Sequence, residues 1–152
     1  MTIKNYTSSV PVERTISKIE SILAKAGASG IMKEYKEGLL DSISFSIKLP
    51  PNNKQILIKL PANVDATYAC LRENIKRPRD NTLNNLTSQA ERTAWKIIQD
   101  WVEVQMSLIQ LQKVDFLQVF LPYVWNGKQT FYHVIKDGNF KLLGSGSHDN
   151  NT

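Results

Sequence analysis

At 152 residues, with 41% apolar and 22% charged residues, the chain has the length and balance of one globular domain with a core of its own. It holds no run near the ~18 apolar residues of a membrane span, and its opening MTIKNYTSSV lacks an apolar signal core, so neither membrane insertion nor secretion is expected. One cysteine, Cys70, and two histidines exclude an internal disulfide framework and a Cys/His zinc cluster, while the net charge of +5 turns the search for partners toward anions.

In chain order, residues 1–9 read as a polar arm. Pro11 suits a first helical turn. Val12, Ile16, Ile19, Leu23 and Ala26 then form the stripe of an amphipathic helix, with Gly27 and Gly30 bracketing its end. Strand-like segments follow at 31–36, 42–49 and 55–60. The second alternates cleanly, sending Ile43, Phe45, Ile47 and Leu49 to one face and Ser42, Ser44, Ser46 and Lys48 to the other. The third sends Ile56, Ile58 and Leu60 inward. Gly38 and the stretch PPNN mark the connections, so the pattern predicts an antiparallel meander with one packed and one wet face.

Asn63 is placed to cap a short helix carrying Val64, Tyr68, Leu71 and Ile75, with Cys70 as a buried thiol among them. Residues 72–85, RENIKRPRDNTLNN, read as a polar loop. The segment 88–111 predicts a long helix. One apolar stripe runs through Ala90, Ala94, Ile97, Trp101, Val104, Leu108 and Leu111, and a second flank through Trp95, Ile98, Val102, Met106 and Ile109. Ser88 and Glu91 have the spacing of a capping box. This helix carries more apolar surface than a small sheet covers, which predicts self-association.

Beyond it, Phe116, Val119, Phe120, Leu121 and Trp125 read as packing residues, and Asn126-Gly127 and Asp137-Gly138 as turns. Periodicity leaves QTFYHVIK open between helix and hairpin strand. The expected architecture is a single α+β domain over residues 1–143: helix, three-stranded meander, long amphipathic helix, short C-terminal elements. Residues 144–152 read as a flexible tail.

Four cations in eight residues, Arg72, Lys76, Arg77 and Arg79, form the strongest candidate site. Guanidinium groups match phosphate oxygens in pairs, and Pro78 biases its surroundings away from helix. Glu73 and Asp80 offer the competing account of a neutralised surface loop. A second candidate is the wet sheet face, where Lys48 and Lys59, beside the serines, Lys33 and Tyr35, suit a phosphate backbone. The carboxylates Glu91, Asp100 and Glu103 are explained by pairing with Arg92 and Lys96 rather than by a metal or acid–base site. His133 lacks the partners of a nucleophilic triad, and no phosphate-cradling glycine loop occurs. The residues therefore predict a binding protein without cofactor or metal, not an enzyme.

The segments LAKAGASGIMKEY, ISFSIKLP, KLPANV, SQAERTAWKIIQDWVEVQMSLI and VFLPY resemble, in that order, a family of small proteins from tailed phages and prophages. The likeness spans residues 11–132. It implies a protein acting in the cytoplasm of an infected bacterium, either as a replication or recombination accessory on nucleic acid or as an anti-defence protein. The latter would sequester a nucleotide signal or block a host defence protein. The order helix, three antiparallel strands, helix is also similar to that of double-stranded RNA-binding domains, but the stretch PANVD lacks the lysine cluster those domains place on phosphate.

Overall fold

The computed structural model describes residues 2–144. Helix α1 (Val12–Lys25) is followed by strands β1 (Gly30–Lys36), β2 (Leu39–Leu49) and β3 (Lys54–Pro61), then by helices α2 (Val64–Glu73) and α3 (Asp80–Gln110). The chain closes with α4 (Phe116–Phe120), a short strand β4 (Val124–Trp125) and α5 (Phe131–Asp137). The α+β class and the element order are those expected from the sequence. The meander is enlarged by β4, which pairs antiparallel with β3 to give a sheet of order β1-β2-β3-β4.

Local chemistry explains most element ends. Pro11 is not inside the first turn; it precedes α1 in an extended conformation. The helix stops where Gly27 takes φ +100°, and the Ala28 N–H reaches the Leu23 carbonyl at 3.0 Å, a Schellman closure. Glu37 and Gly38 both have positive φ, which gives the β1–β2 hairpin the twist-matched two-residue turn. In β2 the register moves from Glu34↔Ser42 to Tyr35↔Leu40, leaving Asp41 as a bulge. Near that bulge the buried Leu40 carbonyl accepts a hydrogen bond from Trp95 Nε1 at 3.1 Å, tying the sheet to α3.

One face of the sheet meets α1 and the C-terminal part of α3. Ile16, Ile19, Leu23, Ile43, Phe45, Ile58, Leu60, Trp95, Val102 and Phe120 are buried in one cluster. Its aromatic end is built across the chain: Phe116 stacks on Phe120 at 4.5 Å, and Phe45 and Trp101 meet Phe120 edge-on at 5.9 and 5.5 Å. A second, smaller cluster joins α2 to the N-terminal part of α3 through Leu71, Leu86 and Ala90.

Several expectations are corrected. The long helix begins at Asp80, not Ser88, so the Ser88–Glu91 capping box does not form and half of the supposed polar loop is helix. A capping box does occur at α4, where Gln118 N–H donates to Asp115 at 3.0 Å. The core side of α3 draws on both flanks, with Ala90, Ala94, Trp95 and Val102 buried, whereas Val104 and Leu111 at the end of the first stripe are exposed. Those two residues keep part of the exposed apolar surface on which the expectation of self-association rests. The arm is not free: Asn5 and Ser8 carbonyls accept hydrogen bonds from Thr93, Gln89 and Arg92, and Lys4 pairs with Asp100.

Cys70 is half-buried rather than fully buried. Ser42 and Ser44 are buried despite lying on the supposed wet face. Cross-strand register sets each small hydroxyl between longer neighbours, as with Ser44 between Met32 and Lys59. Trp125 leaves the core because strand alternation gives the inward position to Val124 and sets Trp125 beside Leu57 on the outer face. The open case, QTFYHVIK, is helix α5, whose half-buried Phe131, Val134 and Ile135 have i, i+3, i+4 spacing. Of the expected tail only Gly144 belongs to the described residues.

Candidate nucleic-acid interface

The α2–α3 junction carries the four cations singled out in the sequence. Arg72 lies in the last turn of α2, Lys76 and Arg77 in the connection, and Arg79 immediately before α3. The connection is short because Asn74 and Ile75 N–H groups fold back onto the Leu71 and Arg72 carbonyls. Pro78 follows Arg77, and Arg79 is extended at φ −95°, ψ 156°, so the chain leaves helical geometry between the two helices. Lys76, Arg77 and Arg79 are exposed and Arg72 is half-buried. Among the described residues none of the four forms an ion pair, with Glu73 and Asp80 or with any other carboxylate. No side chain caps α3, so its leading N–H groups add partial positive charge at the same place.

The sheet-face candidates behave differently. Lys59 is consumed by the protein: it pairs with Glu34 at 2.5 Å, lies 4.4 Å from the centre of the Trp125 ring, and has a side chain only 20% exposed. Glu34 also accepts a hydrogen bond from Ser42 at 2.9 Å. The Lys59 hydrogen bond, with that of Ser42, holds the Glu34 carboxyl below its usual range. Lys33 is paired with Glu20. Lys48 is exposed but lines a cavity with Met106 and Ile109, at the opposite end of α3 from Arg79. At 1.5 Å per helical residue, roughly 40 Å separate the two. Arg72, Lys76, Arg77 and Arg79 thus share the α2–α3 junction, whereas Lys48 lies at the far end of α3 and Lys59 is engaged by Glu34 and Trp125.

The carboxylates of α3 have structural partners. Burial pushes the Asp100 carboxyl up more than any other single influence. Hydrogen bonds from Asn5 and Lys4, with the charges of Lys96 and Lys4, together outweigh it and hold the group below its ordinary range. Glu103 accepts a hydrogen bond from Gln99 at 2.9 Å. Burial raises the Glu91 carboxyl, against a hydrogen bond with the Leu40 backbone. No cluster of three or more His, Cys, Asp or Glu side chains able to hold a metal occurs among the described residues. His133 bonds Thr130 Oγ1 at 2.8 Å and touches neither a carboxylate nor Cys70.

Sequence reasoning missed a second cationic group. Arg14 and Lys18 of α1 and Lys96 of α3 line one groove. The signal available was the polar side of α1, where Arg14, Ser17, Lys18 and Ser21 recur at helical spacing. Their meeting with Lys96 is visible only in three dimensions. No known protein family, curated protein or solved structure matches this chain. None of its helices among the described residues is long and apolar enough to cross a membrane.

Proposed function

We propose that the protein binds nucleic acid through its phosphate backbone at the α2–α3 junction, as a non-enzymatic accessory of phage replication or recombination. The observation that carries this reading is the concentration of unpaired charge: Lys76, Arg77 and Arg79 fall within four residues, all exposed and without an acidic partner among the described residues. Elsewhere a comparable lysine, Lys59, is neutralised and shielded. Arginines at a bend between two helices present planar donors to phosphate without reading base edges, so the binding is sequence-tolerant. The phage setting rests on the resemblance of the QAERTAWKIIQDWVE and FLPY segments.

The test is oligonucleotide binding across a salt series, comparing the parent with Arg77→Ala plus Arg79→Ala. Each lost phosphate contact reduces the slope of log affinity against log salt by roughly 0.7–0.9. The double variant is therefore expected to bind several-fold to tenfold more weakly, with a slope shallower by roughly 1.4–1.8 and an unchanged circular dichroism spectrum. A parent that binds no oligonucleotide at low salt, or a variant that binds like the parent, sinks the reading.

A further inference from the structure

We propose that the groove between α1 and α3 is a second anion site, one that takes a phosphorylated small molecule of about nucleotide size. The proposal is independent of the nucleic-acid reading. The groove is open to solvent, has a volume of about 670 Å³, and is lined by the exposed Arg14, Ser17, Lys18 and Ser21 of α1 and by Lys96 and Gln99 of α3. That volume lies within the ~300–1,000 Å³ of small-molecule sites. The α1 residues fall on one helical face, so two cations and two hydroxyl donors are presented side by side.

Charge distinguishes this groove from the other polar cavity. No carboxylate lines it, whereas the cavity at the β1–β2 turn is lined by Glu37, Asp41 and Asp65 together with Lys36. Arg14 and Lys18 have no ion-pair partner among the described residues. Lys96 approaches Asp100 only to 3.4 Å, and that carboxylate is already held by Lys4 and Asn5. The positive charge available to a ligand is therefore chiefly that of Arg14 and Lys18. A buried floor residue, Gln99, is kept in place by its bond to Glu103.

Volume and charge suit a compact phosphorylated ligand. The N-terminal arm is fastened to α3 through Thr93, Gln89 and Arg92 and passes into α1 at Val10, which itself lines the groove. The arm thus forms one edge of the groove. A terminal phosphate or diphosphate fits beside that edge, with Arg14 offering a two-donor fork and Lys18 a point charge.

The experiment is calorimetric titration of the full chain with pyrophosphate, with ATP, and with a single-stranded oligonucleotide at low salt. Three proteins are compared: the parent, Arg14→Ala plus Lys18→Ala, and Arg77→Ala plus Arg79→Ala. The expected result is one pyrophosphate or ATP per chain. The groove variant weakens that binding at least tenfold while the junction variant leaves it unchanged. Lys96→Gln, a milder change at a third wall, weakens it in the same sense. A parent that binds neither pyrophosphate nor ATP overturns the proposal, as does a groove variant that still binds them normally. A groove variant that loses oligonucleotide and ATP in equal proportion also overturns it, because the groove then belongs to a nucleic-acid track.

Discussion

The two ends of α3 are held by unequal amounts of core. Its C-terminal part lies across the sheet, where Trp95 and Val102 are fully buried and Phe120 closes an aromatic cluster with Phe45, Phe116 and Trp101. The N-terminal part meets α2 and the N-terminal arm, through a smaller cluster whose buried members are Leu71, Leu86 and Ala90. The free cations of the junction sit at this lightly packed end. A site that must present charge to a large polyanion gains from exposure, and exposure is incompatible with the dense packing that fastens the other end. Lys59 shows the converse: placed over the sheet, it is paired, stacked and largely withdrawn from solvent.

The sharpest way to break this comparison is to remove apolar volume at each end. Phe120→Ala is expected to cost about 3–5 kcal/mol, the range for a fully buried aromatic, because its stacking and edge contacts cannot be re-formed by collapse. Leu86→Ala is expected to cost about 2 kcal/mol, at the low end for a buried leucine, since the small cluster lies near solvent and can close up. Urea unfolding measures both, and equal losses would contradict the unequal anchoring. Hydrogen exchange sharpens the same point without mutation. Amides of residues 84–90 are expected to exchange faster than those of 95–106.

The smallest effects expected are those of pH, and they have opposite signs in two places. Glu34 titrates below its ordinary value in the fold, so its contribution is present above the unfolded carboxylate value and lost as pH falls through the folded one. Glu34→Gln should therefore flatten the acid limb of the stability curve. Glu91 titrates above its ordinary value, so its contribution is present in acid and lost as pH rises through the folded value. Glu91→Gln should gain stability relative to the parent at neutral pH, and the difference should vanish in acid. Thermal unfolding across pH 3–7 reads both, and slopes of the same sign would refute the assignment.

What the sequence by itself determined is what neighbours along the chain control. The stripe of α1, the Gly27 stop and the Gly38 hairpin depend on spacing and backbone preference within a few residues, and they stand in the structure. The basic junction is legible for the same reason, since four cations around one proline are adjacent in sequence. Tertiary structure alone decided which positions of the two apolar flanks of α3 lie in the core, Ala90, Ala94, Trp95 and Val102 being buried and Val104 and Leu111 exposed. It decided that Ser42 and Ser44 are buried, since their neighbours across the strands, Glu34, Met32 and Lys59, lie 8 to 15 residues away. It also decided the fate of each charge. Lys59 meets Glu34 and Trp125, and Arg14 and Lys18 line one groove with Lys96, across separations that no local pattern encodes. Coulomb attraction and burial act through distance in space, and a chain that folds back on itself makes that distance unrelated to position in the sequence.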